Sequence, residues 1–144
     1  MSLDQIRKNV YLADLGPGRI VDCIKRFASG DAVIIFSFPR YIPEALGMAG
    51  EARRAGCTLL GVSDSASSPL TLQSDLYLVA PYAGVSFFNS PAAPLALVSA
   101  LVTQVVNMLG EESRAELDRF LDIQNRWTEM VDDVEAIRIG GNIT

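Results

Sequence analysis

Short apolar runs and longer amphipathic ones alternate along this chain, an order that predicts α/β architecture around a parallel sheet. Asn9 to Asp14 (NVYLAD) is β-prone and predicts a first strand, closed by Gly16, Pro17 and Gly18. RIVDCIKRFAS carries Ile20, Cys23, Ile24 and Phe27 at helical spacing. Gly30 and Asp31 then turn into AVIIFSF, a continuous apolar run of the kind that forms a strand covered on both faces. Pro43 to Ala55 predicts a helix stopped by Gly56, and CTLLGVS the next strand. SSPLTLQ predicts a short helix with Ser68 as N-cap and Pro69 at its first position. LYLVA predicts a fourth strand, after which Ser90 and Pro91 repeat the same start signal for a long helix through PLALVSALVTQVVNML.

The tail predicts one more helix. Leu117, Phe120, Leu121, Gln124, Trp127, Val131 and Val134 recur at spacings of three and four, and most of the charges lie off that stripe. An apolar stripe needs a surface, which its own domain or a partner subunit would supply. The chain thus reads as a domain over residues 1–110 followed by an amphipathic helix and tail over 111–144.

Charge sharpens that division. Residues 1–110 hold eight acidic and eight basic side chains, and 111–144 hold nine acidic and four basic, so the tail carries the whole net charge of -5. Neither part has the basic surface that binds a phosphate backbone, so the chain by itself is not expected to bind DNA. No charge occurs between Asp75 and Glu111. Pro81, Gly84, Pro91 and Pro94 interrupt that stretch, and Ser99, Thr103, Gln104 and Asn107 its apolar part. We therefore expect a helix buried on most of its sides, against a sheet and a second subunit, in place of a membrane span.

The chain has no histidine, which excludes imidazole metal ligands, Ser-His pairs and histidine bases. Cys23 and Cys57 match no metal or redox spacing and read as reduced thiols. No cofactor is implied. The start of the chain lacks the basic and apolar regions of a secretory signal, so a cytoplasmic protein is expected.

Candidate chemistry gathers at the carboxyl ends of the predicted strands, where open parallel sheets bind ligands and following helices offer unpaired N–H groups. Three such corners are rich in hydroxyls: Ser37 to Ile42, Ser63 to Ser68 and Ser86 to Ser90. Serines cap helices everywhere, so each alone has a local explanation. Together with Arg40 they suit an anionic, oxygen-rich ligand.

GDAVIIFSFPRY, ARRAGCTLLGVSDSASSPL and LVAPYAGVSFFNSPAAPLALVSALV together resemble the sugar-isomerase (SIS) domain of RpiR-type bacterial transcriptional regulators over most of Gly30 to Leu109. The resemblance implies a three-layer αβα sandwich with a mostly parallel, flavodoxin-like sheet. It implies a non-catalytic sensor that binds a sugar phosphate or related small anionic metabolite, forms homodimers or tetramers, and reaches DNA only through a helix-turn-helix domain outside this chain. Ser37, Arg40, Ser63, Ser68, Ser86 and Ser90 are the binding residues it points to.

The chain also departs from that pattern. Phosphosugar-binding SIS domains resemble S-x-S-G-x-T at the first corner, whereas here Pro39, Arg40 and Ile42 stand for the second Ser, the Gly and the Thr. Two hydroxyls are gone and Pro39 has no amide to donate, so Arg40, whose planar fork grips phosphate or carboxylate, would replace them. Compared with the family, the first strand and helix of the domain are also missing, which would leave an open sheet edge and favour pairing with another copy. Two other readings remain: an isomerase using Glu44 or Glu51 as its base, and an interaction domain that has lost its ligand.

Overall fold

The computed structural model describes the chain apart from residues 1, 2, 6, 14, 15, 17, 18, 85–88 and 141–144. The chain divides into two compact units, residues 12–100 and residues 1–11 with 101–144.

The first unit is built on three parallel strands, β1 (Ala32–Phe36), β2 (Thr58–Ser63) and β3 (Leu76–Val79), in the order β1-β2-β3. Ala32 pairs with Thr58 and Phe36 with Val62, and Ser63 pairs with Val79, so the carboxyl ends of all three strands fall at one end of the sheet. Helix α1 (Arg19–Ile24) leads into β1, helix α2 (Pro43–Arg54) is the crossover from β1 to β2, and the connection from β2 to β3 carries one 3-10 turn (Thr71–Gln73). The α/β class and the parallel sheet agree with the alternation in the sequence.

The sequence of α2 accounts for its limits and its packed face. Pro43 opens the helix at a position where no N–H is needed. Ala45, Met48, Ala49 and Ala52 recur at spacings of three and four and form its buried face. At its end the Cys57 N–H donates to the Ala52 carbonyl (3.0 Å) and the Gly56 N–H to that of Arg53 (3.1 Å), a Schellman motif. It requires the φ of +79° that Gly56 adopts. Ala45, Met48 and Ala49 meet Ile35, Leu59 and Leu70 in the core, with Ile20, Cys23, Ile24, Phe27, Val33 and Leu46 against its margin. Leu59 and Leu70 are wholly buried, each contributing about 2 kcal/mol by the apolar area removed from water.

Three expectations need correction. Asn9 to Asp14 does not form a strand: residues 10–13 are irregular, and Asp14 lies outside the described residues. Its β-propensity finds no ladder, because the sheet consists of β1, β2 and β3 among the described residues, and propensity without a partner does not fix a strand. The short helix at SSPLTLQ begins later than expected, as a single 3-10 turn at Thr71–Gln73. The Leu72 N–H donates to the Ser68 carbonyl (3.2 Å) and the Ser68 hydroxyl accepts from the Thr71 N–H (3.2 Å), as expected of an N-cap, while Thr71 Oγ1 also reaches the carbonyls of Ser65 (3.2 Å) and Ser68 (3.0 Å).

The third correction concerns the uncharged helix, α3 (Ala92–Leu109), which is long and apolar enough to cross a membrane but has only 11% of its residues buried. The described residues of one chain bury it on few of its sides. Gly110, at a φ of +55°, separates it from α4 (Glu111–Gly140), which belongs to the second unit. There Lys8 pairs with Glu116 at 2.9 Å. The apolar stripe of α4 is open as well, with Leu121 45%, Trp127 63% and Val131 41% exposed.

Candidate functional site

Parallel register brings Ser37 and Ser63 side by side at the carboxyl end of the sheet. The Ser37 N–H donates to the Val62 carbonyl (3.0 Å), and the Ser63 hydroxyl donates to the Ser37 carbonyl (2.7 Å). Asp64 Oδ1, a second acceptor, lies 3.1 Å from the Ser63 hydroxyl. Ser37 is itself buried, and its Oγ is the one buried side-chain polar atom without a hydrogen-bond partner among the described residues. An unmet buried hydroxyl costs about 1–3 kcal/mol, which a ligand could recover by bonding to it.

Arg40 owes its position to the turn that follows β1. The Tyr41 N–H donates to the Phe38 carbonyl (2.9 Å), closing a four-residue turn with Pro39 second and Arg40 third. Arg40 has a φ of +86°, the left-handed backbone that a type II turn demands at its third position and that glycine adopts without strain. Glycine is the residue that the phosphosugar pattern has there. Here that position carries an exposed guanidinium, which forms no ion pair among the described residues.

Two contacts join the corners. The Tyr41 phenol donates to Asp64 Oδ1 (2.8 Å), linking the first to the second. This hydrogen bond, with partial loss of hydration and the nearby carboxylate charge, raises the Tyr41 pKa above its ordinary value. The Phe38 and Tyr82 rings lie 4.7 Å apart between centroids, tilted by 30°, and the Tyr82 carbonyl accepts from the Ser90 N–H (3.1 Å), so Tyr82 bridges the first corner and Ser90 of the third. Tyr41, Asp64 and Tyr82 were not among the residues singled out from the sequence. Asp64 directly follows the last residue of β2 and Tyr41 follows the Pro-Arg turn, which are the local signals that mark them.

The remaining candidates divide. Ser68 is buried, but its hydroxyl accepts from the Thr71 N–H (3.2 Å) and lies 3.1 Å from Thr71 Oγ1, so it is engaged in capping. Ser90 accepts from the Ala92 N–H (3.3 Å) at the start of α3, and its own N–H donates to the Tyr82 carbonyl (3.1 Å). Ser86 lies outside the described residues. The start of α2 offers few amides to an anion, since Pro43 has none and the Ala45 N–H is taken by the Ile42 carbonyl (3.1 Å).

Among solved structures, the chain is similar to the sugar-isomerase domain of an RpiR transcription factor from Sphaerobacter thermophilus, with a TM-score of 0.66 and 26% identity over 72% of this chain and 57% of that one. It is also similar to the NanR protein of Vibrio vulnificus, solved complexed with ManNAc-6P, with a TM-score of 0.59 and 21% identity over 72% of this chain and 40% of that one. The chain therefore spans little more than half of the first structure and less than half of the second. No family model matches the sequence, and no curated protein does. The fold is an α/β fold similar to that of the sugar-isomerase class. Its likeness is to the SIS domain of RpiR-type regulators, as the SFPRY and SDSASSPL segments suggest.

Proposed function

We propose that this is a non-catalytic, ligand-sensing SIS domain of a transcriptional regulator, and that its ligand is a small anionic metabolite of the sugar-phosphate class. The observation that carries the reading is the buried Ser37 hydroxyl, without a partner among the described residues, at the carboxyl end of the sheet directly before the turn that carries Arg40, itself in no ion pair among those residues. The hydroxyl supplies a directional hydrogen bond and the guanidinium a charge, which replaces the hydroxyls and amide that Ile42 and Pro39 cannot offer. The ManNAc-6P held by NanR supports the ligand class.

Sensing is favoured over isomerisation by the state of the two candidate bases. Glu51 is paired with Arg54 at 2.7 Å, and Glu44 stands exposed to solvent in the first turn of α2, so one carboxylate is engaged and the other is not enclosed in a site. The uncovered apolar faces of α3 and α4 support self-association as a homodimer or tetramer. Contact with DNA would be made by a separate helix-turn-helix domain, and the setting would be cytoplasmic.

Thermal unfolding with ManNAc-6P, a hexose 6-phosphate and inorganic phosphate tests the reading. A sugar phosphate is expected to raise Tm of the wild type, more than inorganic phosphate does. Ser37→Ala and Arg40→Ala are each expected to remove most of that rise while leaving the unliganded protein folded. A rise unchanged in both variants, or no rise with any of the three, would overturn it.

A further inference from the structure

We propose that Asp64 selects the sugar of the ligand: its Oδ2 accepts a hydrogen bond from a sugar hydroxyl, and its charge turns the phosphate toward Arg40. The proposal rests on the sensing reading and adds a specificity-determining residue to it. Asp64 directly follows β2 and stands half-buried at the carboxyl end of the sheet, next to the Ser63 hydroxyl that bonds to Ser37.

Among the described residues, the hydrogen bonds of the Asp64 side chain fall on one oxygen. Oδ1 accepts from the Tyr41 phenol (2.8 Å) and lies 3.1 Å from the Ser63 hydroxyl, whose proton the Ser37 carbonyl also attracts. Oδ2 accepts no hydrogen bond from these residues, and no lysine or arginine among them pairs with the carboxylate. A half-buried charge with neither a cation beside it nor a donor on its second oxygen is held at a cost. Holding the turn does not account for that charge. Tyr41 and Ser63 need a single acceptor, which the amide oxygen of an asparagine would supply.

A ligand that brings donors does account for it. Sugar hydroxyls donate to a carboxylate, whereas a phosphate group, rich in acceptors and of the same sign, is repelled. Arg40, one residue before Tyr41, carries the opposite charge and forms no ion pair with Asp64. The Tyr41–Asp64 bond thus keeps an anion and a cation beside one turn without their neutralising each other. A molecule with phosphate at one end and hydroxyls at the other satisfies both, and each charge rejects the reversed orientation.

Isothermal titration calorimetry of the full chain with glucose 6-phosphate, ManNAc-6P and inorganic phosphate tests this role. The wild type is expected to bind the better of the two sugar phosphates about tenfold or more tighter than inorganic phosphate. Asp64→Asn, which keeps an acceptor for Tyr41, is expected to weaken that sugar phosphate by about tenfold and to leave inorganic phosphate bound as tightly as before or more so. Tyr41→Phe, which removes the anchor and keeps the carboxylate, is expected to weaken the sugar phosphate by no more than about threefold. Equal losses of sugar phosphate and inorganic phosphate in Asp64→Asn, or a loss in Tyr41→Phe as large as in Asp64→Asn, would mean that Asp64 only holds the turn, and would overturn the inference while leaving the sensing reading in place. Sugar-phosphate binding that Asp64→Asn leaves unchanged would do the same. Absence of binding by the wild type to all three would overturn the sensing reading and this inference with it.

Discussion

The Tyr41 phenol donates a 2.8 Å hydrogen bond to Asp64, and through it the turn that carries Arg40 is tied to the end of β2. The bond needs a neutral phenol, since a phenolate would face a carboxylate of the same sign. The folded-state pKa of Tyr41 is raised, chiefly by this hydrogen bond. The sign follows: the bond's contribution is complete below the phenol's unfolded value, about 10, and is lost as pH rises through the higher folded value. Tm of the wild type should therefore fall more steeply than that of Tyr41→Phe between about pH 9 and about pH 11. Parallel curves would mean that the bond does not hold the turn.

Arg40 makes the opposite trade. Its positive φ costs a non-glycine residue about 1 kcal/mol, part of which glycine would return as lost chain entropy. Arg40→Gly is expected to leave the unliganded protein as stable as the wild type or to raise Tm by about 2 °C, while abolishing the response to a sugar phosphate. Arg40→Ala keeps the strain and should lose the response without the gain. If Arg40→Gly still responds to the ligand, the turn backbone binds it and the guanidinium does not.

What the sequence made legible was local. Pro43 before an apolar period of three and four, Gly56 at a left-handed position and Ser90 before Pro91 each declare a helix end through the backbone groups they satisfy or lack, and each helix ends near its signal. Ser37 and Ser63 were legible because parallel strands bring their carboxyl ends together. The strand expected at Asn9 to Asp14 was not formed, because a ladder is a property of two segments and only one was being read. Tyr41 and Asp64 are 23 residues apart, and no local pattern states that a turn will fold down onto the end of the next strand. Ser68 showed the right residue type with the other of its two meanings, a cap for Thr71.

Cys57 provides a test of packing by reactivity. It is buried, its thiol lies 3.4 Å from the Ala28 carbonyl to which it donates, and burial followed by the charge of Asp31 raises its pKa. A neutral, enclosed thiol is a poor nucleophile. Native protein treated with a thiol-specific disulfide reagent at neutral pH should leave Cys57 unlabelled while denatured protein labels both cysteines, as peptide mass mapping would read. Rapid labelling of Cys57 in the native state would show that the junction of α2 and β2 opens readily.

Gly61 is required in β2 because a neighbour occupies the space where its side chain would stand. An added Cβ would overlap the Ser74 hydroxyl and come within 3.2 Å of Ser74 Cβ and Leu70 Cγ, and Leu70 is wholly buried. Ser74 cannot move aside freely, since its hydroxyl donates to the Leu70 carbonyl at 2.8 Å. Gly61→Ala should therefore destabilise the protein by about 2 kcal/mol, as overpacking does in a filled core. Ser74→Gly alone should cost about 1 kcal/mol through its lost hydrogen bond and added chain freedom. The double variant should be more stable than the sum of the two losses by about 1 kcal/mol, because removing the Ser74 side chain makes room for the new methyl group. Denaturant unfolding of all four proteins measures that difference, and strictly additive losses would place the strain of Gly61→Ala on Leu70 alone.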